Sequence, residues 1–158
     1  MTDDKNPFEH ILYECEMLLY TGNQLVGQLN NQLDLNMTLD SFAIHLRNLA
    51  YFFNEAKISQ YWHASDYIND RSKLSLIPSS LYQEIKEYTS RATCHLLDYR
   101  LGESYKAQTM QCYNKALPQL RNCIMQFIST LDIDCKQEYR SYWQVQKIQK
   151  VSFFIKGL

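Results

Sequence analysis

Two short runs place groups able to move protons and hold phosphates on otherwise apolar segments. The first is Phe42-Ala43-Ile44-His45-Leu46-Arg47-Asn48-Leu49; the second runs from Arg91 through His95 to Tyr99-Arg100. Arg91 and His95 are four residues apart, as are His95 and Tyr99, so on a helix each pair shares a face. An imidazole can take a proton from a ribose 2′-hydroxyl near neutral pH, and a guanidinium can stabilise charge on the phosphate. The chemistry implied is RNA cleavage without a metal. The competing reading is a polar network between helices, because His95 falls on an apolar stripe, where hydrogen-bonded core histidines are common.

Other chemistries lack their residues. A di-iron bundle site needs Glu-x-x-His pairs, and none occurs; His10 and His63 have no companions at metal-ligand spacing. No phosphate-loop, nucleophile-elbow or dinucleotide glycine motif is present, in keeping with only 4 glycines. The 5 cysteines (Cys15, Cys94, Cys112, Cys123, Cys135) form no C-x-x-C pair and are odd in number, which argues against zinc and against a disulfide framework. They read as small apolar residues of a reduced, cytoplasmic protein. Lys136, Arg140, Lys147 and Lys150, interleaved with Tyr139, Tyr142 and Trp143, could face RNA, although a solvated helix face is the plainer reading.

These groups need elements to hold them. Asn6-Pro7-Phe8-Glu9 is a helix start, with Asn as cap and Pro at the first position. Phe8, Ile11, Leu12, Cys15, Leu18 and Leu19 follow at helical spacing, with a possible interruption at Gly22-Asn23 and a polar loop over 30–36. A second helix spans about Thr38 to Ala56 on the stripe Leu39, Phe42, Leu46, Leu49, Phe53. Ile44 and Phe52 lie off that stripe, which predicts burial on two sides. After a looser stretch with Tyr61, Trp62, Tyr67 and Ile68, Pro78-Ser79-Ser80 opens a third helix, with Ser80 and Gln83 in capping-box register, running toward a stop at Gly102. The fourth carries Met110, Tyr113, Leu117, Leu120, Ile124, Phe127 and Leu131, with Pro118 inside it, predicting a kink or a split. A last helical segment from Lys136 ends in Ser152-Phe153-Phe154-Ile155, aromatics that must pack on the bundle or on a second subunit.

Glycine (4) and proline (3) are too scarce for the turns of a β-rich fold. The expectation is one all-α domain over residues 1–158, an antiparallel bundle of four main helices plus one or two short ones. A net charge of −1 gives no bulk attraction to phosphates, so any nucleic-acid role needs a local patch. The acidic N-terminus is no signal peptide, and no apolar run approaches the roughly 20 residues that span a bilayer.

The segment Met37-Thr38-Leu39-Asp40-Ser41-Phe42-Ala43-Ile44-His45-Leu46-Arg47-Asn48-Leu49 with Phe52-Phe53 resembles a bacterial pattern: a Ser-Phe pair, His-x-Arg-Asn-Leu, then two aromatics. Cys94-His95-Leu96-Leu97-Asp98-Tyr99-Arg100 is similar to its second half. Both resemble HEPN-like proteins (higher eukaryotes and prokaryotes nucleotide-binding), over about Thr38 to Leu101. The resemblance implies an all-α, commonly dimeric domain, often a metal-independent ribonuclease paired with a nucleotidyltransferase antitoxin or acting in phage defence. It implies His95 as base, Arg91 or Arg47 as phosphate partner, and His45, Asn48 and Arg100 on the substrate, with no cofactor or metal. The family separates its arginine and histidine by four to six residues; here three lie between Arg91 and His95. The alternative reading is therefore a non-catalytic helical interaction module: an antitoxin, inhibitor or assembly subunit.

Overall fold

The computed structural model describes residues 6–27, 31–58, 60–94 and 103–147, with side chains described throughout except at 26, 91–94, 103–106, 109 and 110. The described residues are all-α: α1 (Pro7–Val26), α2 (Gln32–Phe52), α3 (Ser79–Cys94), α4 (Glu103–Asp134) and α5 (Arg140–Gln146), with single 3-10 turns at Ala64–Asp66, Arg71–Lys73 and Gln137–Tyr139. The four long helices and the short fifth match the bundle expected from the sequence. None of the described helices is long and apolar enough to cross a membrane.

Helix α1 starts as its residues dictate, with the Asn6 side chain accepting from the Phe8 N–H at 3.0 Å and Pro7 at the first position. It does not break at Gly22. A Cβ built there would lie 2.7 Å from Cε2 of Tyr113, so the glycine admits a ring from α4 rather than a turn. Helix α2 begins at Gln32, inside the stretch expected to be a loop. Asn31 caps it by accepting from the Asp34 N–H at 2.9 Å, and Gln32 donates to Asn36 one turn on at 2.9 Å. Polar residues there cap and pair along a helix end that projects into solvent.

Helix α2 lies between α1 and α3 and packs on both. Its core face carries Phe42, Leu46 and Leu49, while Phe53 caps its C-terminus. Phe52 is buried as expected off that stripe, but Ile44 is 40% exposed, so burial on the second side is partial. Helix α3 starts at Ser79, which puts Ser80 already inside the helix rather than at its cap.

Helix α4 is one continuous helix through Pro118, with no split. Pro118 sits on the exposed side, and so does Asn114, whose carbonyl loses its helical partner and can be hydrated instead. Ala116 and Leu120, on either side of the proline, are fully buried and hold both halves to the core.

The connection from α2 to α3 is pinned by backbone bonds. Ile77 N–H donates to Phe53 O at 2.9 Å, and Lys136 N–H donates to Tyr67 O at 2.9 Å, tying this segment to the end of α4. His63 is buried within it. Its Nδ1 accepts from the Ser65 N–H at 3.1 Å, so Nε2–H donates to the Asn54 carbonyl at 2.6 Å. Trp143 of α5 closes the core against Phe8, with ring centroids 5.4 Å apart, and its indole N–H reaches Asp132 at 2.9 Å. The expected stop at Gly102 and the terminal apolar residues Phe153, Phe154 and Ile155 lie outside the described residues.

Candidate functional site: a buried carboxylate on the seam of α1 and α2

Glu14 occupies a position on the apolar face of α1, three residues after Ile11 and four before Leu18, and is itself buried. A carboxylate there needs partners, and α2 supplies them. His45 Nδ1 lies 2.8 Å from Glu14 Oε2, and the Asn48 amide donates to the same oxygen at 3.1 Å. His10, one turn before Glu14, places Nε2 3.7 Å from Oε1.

Burial acts to raise the Glu14 pKa, but hydrogen bonds from His45 and Asn48, with the charges of His45 and His10, outweigh it and hold the carboxyl below its ordinary value. Glu14 is therefore ionised at neutral pH and can only accept. That places a proton on Nδ1 of His45, the hydrogen-bonded ring nitrogen, with Nε2 on the far side of the ring. The Tyr13 ring meets this imidazole edge-on at 5.7 Å.

On the other side of Glu14 a cleft of about 350 Å³ opens between α1, α2 and the segment following Ile58. Its polar lining is His10, Glu14, Asn48 and Gln60; its aromatic lining includes Tyr51, Tyr61 and Trp62. Tyr51 and Tyr61 stack at 4.5 Å, and Trp62 meets His10 edge-on at 6.2 Å. The buried His63 fixes the adjoining backbone, so the aromatic wall hangs from a rigid point.

Among the residues singled out from the sequence, His45 and Asn48 come together on Glu14, each committing a donor to it. Arg47 is half-buried and stands one turn before Tyr51, whose ring meets Tyr82 of α3 at 5.4 Å. It therefore lies on the side of α2 toward α3. Arg91 is in α3. Counted from the Tyr51/Tyr82 contact at about 1.5 Å per residue, the Arg47 and Arg91 backbones are staggered by roughly 7–8 Å along the helices. The Arg91 side chain, His95, Tyr99 and Arg100 lie outside the described residues.

In the basic stretch at the C-terminal end, Lys147 donates to Asp132 at 2.8 Å and Arg140 to the Cys135 carbonyl at 3.4 Å, while Lys150 is outside the described residues. Among the described residues no group of three His, Cys, Asp or Glu side chains is gathered as a metal site.

The role of Glu14 escapes a reading of the sequence alone because its partners on α2, His45 and Asn48, are 31 and 34 residues away along the chain. One signal was available: an acidic residue at a stripe position of an otherwise apolar helix face. No protein-family model, curated protein or solved structure matches the chain.

Proposed function

We propose that this chain is a HEPN-like helical domain that cleaves RNA without a metal ion. The observation that carries the reading is the orientation of His45: a buried carboxylate holds its Nδ1–H, which leaves Nε2 as the ring nitrogen available to substrate, two residues before Arg47. Cleavage requires one group to take the 2′-hydroxyl proton as the 2′-oxygen attacks phosphorus. A second must return a proton to the departing 5′-oxygen, leaving a 2′,3′-cyclic phosphate. His95 is assigned the first task and His45 the second, with Arg47 and Arg91 stabilising the phosphate and Asn48 and Arg100 on the substrate side. As in the resembling family, two copies of the chain would join to complete the site.

The purified protein should degrade single-stranded RNA in EDTA, and His95→Ala and His45→Gln should each lower the rate about 10²-fold or more. Equal rates in wild type and both variants would end this reading.

A second reading, a non-catalytic interaction module, draws support from apolar side chains left in solvent. Leu33 (67%) and Met37 (63%) on α2 and Tyr20 (59%) on α1 are exposed well beyond what a core role would allow. It predicts a stable complex with a partner protein or with a second copy, weakened by Met37→Glu, and no RNA turnover.

A further inference from the structure

The cleft between α1 and α2 is a small-ligand site of definite character. Its floor is a single buried carboxylate and its walls are aromatic. Of the two Glu14 oxygens, Oε2 already accepts from His45 and Asn48; Oε1, on the His10 side, makes no closer approach than 3.7 Å to that imidazole. Among the described residues no lysine or arginine lines the cleft, and the basic side chain against Oε1 is the exposed His10. An anionic ligand would meet repulsion here. A neutral apolar one would strip water from Oε1 and return nothing. A cation satisfies the oxygen and gains from the ring faces as well.

The shape narrows the class further. Tyr61, stacked on Tyr51 on one side, and Trp62 are about half exposed, at 48% and 58%, so each offers ring surface to an incoming group. The Asn48 and Gln60 amides add oxygen acceptors beside the carboxylate. A planar cation with several N–H donors uses both features, stacking on a ring while donating in its own plane; a compact ammonium uses only the charge.

We propose that this cleft binds a guanidinium group, carried either by a free alkylguanidine or by an arginine side chain of a partner protein. Glu14 receives its N–H groups and Trp62 with Tyr61 covers its face. The cleft shares Glu14 and Asn48 with the RNA chemistry above, but the proposal does not rest on that chemistry and is tested by binding alone.

The test is a titration of the full chain with butylguanidinium, followed by the indole N–H resonance of Trp62 in NMR spectra and by calorimetry, beside butylurea, a neutral ligand of nearly the same shape. The expected result is saturable binding of butylguanidinium, at least tenfold weaker binding of butylurea, and a Trp62 resonance that moves only with the former. Trp62→Ala should weaken binding two- to fivefold and Glu14→Gln tenfold or more. An acetylated and amidated Gly-Arg-Gly peptide separates the sources: tighter binding than butylguanidinium identifies an arginine side chain, and weaker binding identifies a free guanidine, both within the proposal. Equal affinity for butylurea, or no saturation by either ligand up to tens of millimolar, overturns it. Because that comparison uses the wild-type chain, it holds even if Glu14→Gln fails to fold, and ribonuclease activity plays no part in it.

Discussion

Replacing Glu14 with alanine probes the seam of α1 and α2 at its most demanding point. The carboxylate accepts at 2.8 Å from the buried His45 and at 3.1 Å from the half-buried Asn48. Leaving a buried donor without a partner costs about 1–3 kcal/mol. Asn48 is only half-buried and can turn to water, so the combined loss should be about 2–4 kcal/mol. Against a total stability of about 5–15 kcal/mol for a domain of this kind, that is a large fraction. With a urea slope of about 2 kcal/mol per molar, the unfolding midpoint by circular dichroism should fall by about 1–2 M. Glu14→Gln keeps one acceptor oxygen and should lose roughly half as much. The effect also has a pH signature. Because the folded Glu14 pKa lies below the ordinary carboxylate value, its contribution is fully present above about pH 4.5 and disappears as pH falls through the folded value. The Glu14→Ala chain should therefore show a flatter acid limb. A midpoint change under 0.3 M, with an unchanged acid limb, would refute the reasoning.

Three further outcomes follow from other parts of the molecule. Burial, then the nearby Arg71 and Lys57 charges, depress the His63 pKa against the pull of the Asn54 carbonyl, so below about pH 6.5 the unfolded chain binds a proton that the folded one refuses. Stability should fall as pH drops from 6.5 toward the folded value, and His63→Asn, less stable at pH 7, should lose that slope; an unchanged slope contradicts the assignment. Gly22→Ala would ordinarily gain about 1 kcal/mol in a helix. With its Cβ at 2.7 Å from the Tyr113 ring, it should instead destabilise by about 1–2 kcal/mol, an effect reversed by Tyr113→Leu in a thermal-melt cycle. In a Cys94→Ala background, Cys15, Cys112, Cys123 and Cys135 are all buried; burial raises their thiols, Cys112 to about 12 and Cys123 to about 11. They should stay unmodified by a disulfide reagent at pH 8 until urea unfolds the chain, and rapid native labelling would contradict this burial.

Much of the fold is written locally. Asn6-Pro7 marks the start of α1, and Leu120, Ile124, Phe127 and Leu131 trace the buried face of α4, because caps and 3.6-residue periodicity are properties of neighbouring residues. Two of the departures have their cause in packing around α4, and one in a local cap. Gly22 reads as a breaker until a ring from α4 occupies the space beside it. Pro118 reads as a break until its exposed position and its buried neighbours are known. Asn31 reads as loop because a cap looks the same as any polar residue in a polar run. The site divides in the same way. His45, Arg47 and Asn48 are conspicuous as polar groups on an apolar helix, whereas Glu14 acquires its role only when α1 packs on α2. The aromatic cleft depends on a wall from a segment whose periodicity is weak and whose shape is held by the buried His63.

The most direct test of this account is the protonation of the His45 ring, read from long-range ¹H–¹⁵N NMR couplings of the folded protein at neutral pH. A proton on Nδ1, present in the wild type and lost or exchanging fast in Glu14→Ala, is the predicted result. A ring carrying its only proton on Nε2 would contradict it, since Glu14 could not then be the group that holds His45.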